Sequence, residues 1–165
     1  RRTFGMLRSI LVVCVLVASA TALPSFVKSG PLHASCHMTV TYNSTQCGDV
    51  LTALKGAVSK LSGSDCGSGE KCLYTLVSSS ATELKTTHAT PVKHYKDDQT
   101  FSFSAVDGGC SVKAFSTSET WYAVLDDGTN YCNLHNLAAE TGLTFSETVD
   151  DSTCTQYSKA NCDKY

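Results

Sequence analysis

The chain has 165 residues, 42% of them hydrophobic and 17% charged, with nine cysteines and a formal net charge of −2. That length fits one domain, and the composition excludes a disordered chain, a collagen and a polytopic membrane protein. Serine and threonine interleaved with β-branched and aromatic residues argue against a helical bundle and for a β-rich domain.

Met6-Leu7-Arg8, an apolar run over 10–17 and the small residues of 18–22 follow the order of a secretory signal peptide. Residues 1–22 are therefore predicted to be an export signal, with 1–5 reading as upstream translation. Residues 23–165 are predicted to form a single disulfide-rich extracellular domain. The apolar run is too short to span a bilayer, so no transmembrane anchor is expected. Past the signal the chain carries ten Lys and no Arg against fifteen Asp plus Glu, a formal charge of −5. Phosphate recognition rests on Arg and Lys, so nucleic acid is an unsuitable partner.

With Cys14 inside the signal, eight cysteines remain: Cys36, Cys47, Cys66, Cys72, Cys110, Cys132, Cys154 and Cys162. An even count in an exported chain predicts four disulfides, whose 105 possible pairings the spacing leaves open. Asn43-Ser44-Thr45 is an N-glycosylation sequon and places Asn43 on the surface.

In chain order, residues 24–35 have no periodicity and read as an extended arm. Met38, Val40 and Tyr42 alternate with polar residues as a first strand. The main helix is expected over 49–61, with Asp49 as N-cap and Val50, Leu51, Leu54, Ala57, Val58 and Leu61 on one face. A loop over 62–69 is restrained by Cys66. Strands are expected over 71–78, 83–90, 99–106, 110–117 and 119–125, with turns at Asp97-Asp98, Asp107-Gly108-Gly109 and 126–130, the two glycine turns closing tight hairpins. A short helix follows Tyr131-Cys132 and stops at Gly142, then an extended 143–149 and a final helical turn from Ser152.

In 120–125 the alternation vanishes: Trp121, Ala123 and Leu125 point one way, Tyr122 and Val124 the other. Such a strand is covered on both sides, by core or by a ligand. The candidate ligand-binding residues are therefore Phe101, Phe103, Trp121, Tyr122 and Val124.

Few constellations carry chemistry. His33, Cys36 and His37 have metal-ligand spacing, with Cys47 nearby, but an oxidised Cys36 leaves no thiolate, and no metal or cofactor is assigned. His88 and His94, with Lys85 or Lys93, are the only candidate acid-base set. The pairs Asp97-Asp98, Asp126-Asp127 and Asp150-Asp151 lack the spaced pattern of a calcium loop and suit turns and caps. No G-x-S-x-G, H-E-x-x-H or G-x-G-x-x-G occurs, so no catalytic residue is assigned.

The order of strand, helix and disulfide-bearing antiparallel meander over roughly 36–133 resembles the cystatin architecture. The chain has no Q-x-V-x-G, and its only Trp follows Thr120 rather than Pro, so the resemblance concerns shape and not inhibition. A lipocalin likeness fails because no G-x-W opens the first strand.

The expected fold is α+β: a curved antiparallel sheet of about five to seven strands packed on the 49–61 helix and stapled by four disulfides, with a closed β-barrel as the alternative. The expected function is that of a secreted, non-enzymatic binding protein carrying a small apolar ligand between helix and sheet. The alternatives are an extracellular protein-interaction module, of protease-inhibitor or matrix type, and a small secreted hydrolase using His88 and His94.

Overall fold

The structure is a computed structural model and describes residues 33–120 and 122–165. The expected export signal, most of the arm and Trp121 lie outside the described residues. The fold is α+β. Strand β1 (Ser35–Asn43) leads into helix α1 (Cys47–Lys60), and four strands follow: β2 (Tyr74–Ser79), β3 (Glu83–Ala89), β4 (Lys96–Val106) and β5 (Gly109–Ser118). Helix α2 (Thr129–Glu140), the short strand β6 (Ser146–Thr148) and one 3-10 turn (Tyr157–Lys159) complete the chain.

The strands form one antiparallel sheet in the order β2-β3-β4-β5-β1-β6. Its edges, β2 and β6, do not meet, so the expected barrel alternative is not formed. β1 lies beside β5 rather than beside its sequence neighbour β2, with α1 making the crossover.

Period-two patterning makes the sheet one-sided. Met38, Val40 and Tyr42 of β1 are buried while His37 and Asn43 are exposed; Phe101 and Phe103 of β4 are buried while Ser102 and Ser104 are exposed. Both helices cover the buried face. α1 contributes Val50, Leu54, Ala57 and Val58. It begins two residues before the expected start, with Gln46 as N-cap and no side-chain cap. Asp49 lies instead in the first turn, where its charge meets the positive end of the helix dipole.

Several expectations are corrected. Asp97-Asp98 is no turn but lies in β4, with Asp97 buried; the β3–β4 connection runs over 90–95, where His94 takes a φ of 53°. The described residues of 119–125 belong to no strand: β5 ends at Ser118, and they are irregular. The 126–130 glycine turn closes no hairpin and instead opens α2, which is longer than expected. The Asp126 carboxylate accepts from the backbone N–H of Gly128 and Asn130 at 3.2 and 3.0 Å, doing the work of a cap. Gly128 is required there twice over. Its φ is 82°, and a Cβ would stand 2.6 Å from the Ala160 Cα. The Asp107-Gly108 turn is a two-residue hairpin as expected, with Gly108 at a φ of 71°.

The four disulfides are Cys36–Cys154, Cys47–Cys110, Cys66–Cys72 and Cys132–Cys162. Cys154 and Cys162 do not pair with each other, although the tail holding them is not the continuous helix that would forbid it. The first and last bridges tie that tail to β1 and α2. Each typically contributes about 2 to 4 kcal/mol. No helix among the described residues is long and apolar enough to cross a membrane.

Candidate functional site

The buried face of the sheet changes character along the strands. At the end near the β4–β5 hairpin its rows are apolar: Leu84, Phe101, Ala114 and Met38 stand side by side, then Phe103, Val112 and Val40. At the opposite end they are polar. Tyr74, His88, Asp97 and Ser118 form one row across β2, β3, β4 and β5, and Thr86, Gln99 and Ser116 form the next. All seven are buried.

Helix α2 matches this polar end with asparagines at three-residue spacing. Asn130 accepts a hydrogen bond from the Ser116 hydroxyl at 2.6 Å and donates to Asp126 Oδ2 at 2.9 Å. Asn133 donates to Asp97 Oδ2 at 2.7 Å, and Asn136 donates to the Tyr165 carbonyl at 2.7 Å. Burying so many polar groups is costly unless they are paired. Most are, but Asn133 Oδ1, Asn136 Oδ1 and His88 Nδ1 have no partner.

Asp97 is the one buried carboxylate of this row, 5% exposed. Burial pushes its carboxyl up to about 6, and the nearby charges of Asp126 and Glu70 add to the rise against the hydrogen bonds from Asn133 and Ser118. No cation is paired with it among the described ion pairs.

A cleft of about 410 Å³ opens onto this polar end. Asp97, Ser118 and Asn130 line its wall, and Glu70, Asp126 and Asp127 add carboxylates. Val92, Tyr95, Ala123 and Leu125 add apolar surface and Lys93 and Lys164 two exposed cations, with Val92 84% and Leu125 70% exposed. The 122–127 side is held by the Ala123 carbonyl, which accepts from the Ala34 N–H, and by Gln156 Oε1, which accepts from the N–H groups of Asp126 and Asp127. The 90–95 side is held by Thr90, whose hydroxyl accepts from the Tyr95 N–H at 3.0 Å.

The expected ligand residues are not brought together. Phe101 and Phe103 are filled core between sheet and helix. Tyr122 and Val124 are 59% and 54% exposed on the segment bordering the cleft, and Trp121 lies outside the described residues. His88 faces inward, its Nε2 2.9 Å from the Glu70 carbonyl, while His94 is exposed on the 90–95 loop; they form no acid-base pair. Lys85 stands exposed beside Glu83, and Lys93 lies over the Tyr95 ring. In the row Ser118, Asp97, His88 the carboxylate stands between hydroxyl and imidazole, the reverse of a hydrolase triad, in which histidine is the middle member.

The His33, Cys36, His37 cluster is dispersed as well. Cys36 is in a disulfide, His37 stacks on Phe115 with ring centroids 4.2 Å apart, and His33 Nδ1 lies 3.2 Å from the Ser118 carbonyl. Among the described residues no group of three or more His, Cys, Asp or Glu is placed to hold a metal. Asp126 caps α2, and Asp150 accepts from the N–H groups of Ser152 and Thr153, both in the turn or cap role expected of them. Asn43 is exposed at the end of β1. Compared with known proteins, the chain matches no family model, no curated protein and no solved structure.

Proposed function

We propose that the protein is a secreted, N-glycosylated and non-enzymatic binding protein that holds a small ligand with an apolar body in the cleft between the 90–95 loop and the 122–127 segment. The cleft carries this reading. Its size falls within the range of small-molecule sites, about 300 to 1,000 Å³, and exposed Val92 and Leu125 line it together with buried Asp97, Ser118 and Asn130. The ligand thus sits at the polar end of the layer and not beside Phe101 and Phe103, where side chains fill the space. Secretion and glycosylation rest on the signal-like 1–22, the Asn43 sequon and eight paired cysteines, a state suited to an oxidising compartment.

Nile red, a neutral apolar dye, tests the site. A saturable one-site rise in its fluorescence is expected with the native protein, and its loss in Val92→Arg/Leu125→Arg, which alters only exposed side chains. A saturable response unchanged in the double variant, or none in either, overturns the reading.

The protein-interaction reading has one observation in its favour. Edge strand β2 leaves Leu76 and Val77 exposed beside a bulge, a surface fit for another chain.

A further inference from the structure

The outer face of the sheet carries a depression unrelated to the cleft. Both helices cover the inner face, so period-two patterning leaves hydroxyls and charges on the outer one. Lys113 of β5 stands there between Thr39 of β1 and Ser102 of β4, with Thr148 of β6 beyond Thr39. The adjoining row is His37, Phe115 and Thr100. These side chains border a groove of about 540 Å³. The tail forms its end: the Cys36–Cys154 bridge and the His37 N–H, which donates to the Thr153 carbonyl at 2.9 Å, fix Thr153 beside β1. A second depression of about 460 Å³ continues past Thr153, sharing it and His37, and is lined by Ser35, Asp151 and Ser152. The groove is thus long, open and already in place, which lowers the cost of ordering on binding.

Charge, ring and hydroxyl meet in this groove. Lys113 is its only lysine and takes part in none of the described ion pairs, and no carboxylate lines the first depression. Lys85 on the same sheet face, by contrast, has Glu83 at 3.2 Å. One unpaired cation calls for one anionic group; nucleic acid and anionic membranes need several, with arginine favoured among them. Phe115 and His37 stack with ring centroids 4.2 Å apart and offer a flat platform, whose negative face suits the weakly positive C–H side of a sugar ring. The surrounding threonine and serine hydroxyls both donate and accept, matching a ligand that does the same. Lys113 and Phe115 are two residues apart on one strand, about 6.6 Å, so one sugar reaches both.

We propose that this groove binds an oligosaccharide containing a carboxylate sugar, with the carboxylate on Lys113, its ring on the Phe115–His37 platform, and the next sugar past Thr153 at Asp151. The Asp151 carboxylate accepts from the Ser158 N–H with Oδ1 at 2.8 Å and keeps acceptor capacity for sugar hydroxyls. Charge fixes the orientation: the acidic sugar is drawn to Lys113 and kept from Asp151. The groove shares no lining residue with the cleft and stands independently of the ligand assigned there.

The test is a titration at pH 7.5 with a tetrasaccharide of alternating glucuronate and N-acetylglucosamine and with its carboxyl-reduced form, followed by amide shifts in ¹H–¹⁵N NMR spectra. Saturable shifts at Thr39, Thr100, Lys113 and Phe115 are expected with the acidic tetrasaccharide, at an affinity at least fivefold higher than that of the reduced form. The protein is not expected to sediment with phosphatidylserine vesicles. Lys113→Gln, which alters only an exposed side chain, is expected to bring the two saccharides to equal affinity. Lys85→Gln, outside the groove on the same face, is expected to leave the preference intact. Equal affinity of the native protein for both saccharides, a preference that survives Lys113→Gln, or absence of shifts with either saccharide overturns the proposal. Vesicle binding that is lost in Lys113→Gln assigns the face to a lipid surface and overturns it as well.

Discussion

Asn133 of α2 donates its side-chain amide to the Asp97 carboxylate of β4 at 2.7 Å, joining helix and sheet through two buried polar groups where a core is ordinarily apolar. The bond fixes the position of α2 over the polar rows and presents the carboxylate to the cleft.

Asp97 gives a pH signature of stability. Its carboxyl is raised from an ordinary 3.8 to about 6, so the native state holds a proton that the unfolded chain releases between those values. Stability is then expected to fall as pH rises from about 4 to 6, and to level off above, with a total cost of about 3 kcal/mol from this group. Asp97→Asn removes that slope and is more stable above pH 6. Urea unfolding at pH 4 and 7.5 checks it; identical pH slopes in native protein and variant would contradict the assignment.

All eight cysteines of the described residues are paired. Alkylation of the denatured, unreduced protein is expected to label none of them. Cys132→Ala, which releases the tail that supports Gly128, is expected to cost about 2 to 5 kcal/mol and to depress secretion. Labelling of two cysteines in the native chain would break the four-bridge account.

Gly128 joins the cleft wall to α2 at a φ of 82°, against the Ala160 backbone. Gly128→Ala is therefore expected to lower stability by about 1 to 3 kcal/mol from the backbone conformation alone, before any displacement of Ala160. Chemical denaturation measures this. A loss of less than about 0.5 kcal/mol, the scale of a neutral surface change, would show that the position is not constrained.

Much of the fold was legible in the residues. The alternation of Met38, Val40 and Tyr42 and of Phe101 and Phe103 located strands and their buried faces, and the stripe from Val50 to Val58 located α1. The site was less so. The run from Tyr122 to Leu125 has strand-like residues, yet it joins no sheet; its backbone is held by Ala34 and that of the Asp126-Asp127 pair after it by Gln156, long-range partners that no local pattern announces. Asp97 resembles a turn residue because it sits next to Asp98, but β-pairing with Ser118 turns it inward. One sequence signal did exist: Asn130, Asn133 and Asn136 recur at helical spacing, and a helix with an asparagine stripe needs a polar surface to face.

The most direct test of the binding account is the site of contact. In ¹H–¹⁵N NMR spectra of the native protein titrated with Nile red, saturable shifts are expected at the backbone amides of Glu70, of the 90–95 loop and of 123–130, with the exposed sheet face around His37, Lys113 and Phe115 unchanged. Shifts concentrated on that sheet face, or no saturable shift at any amide lining the cleft, would contradict it.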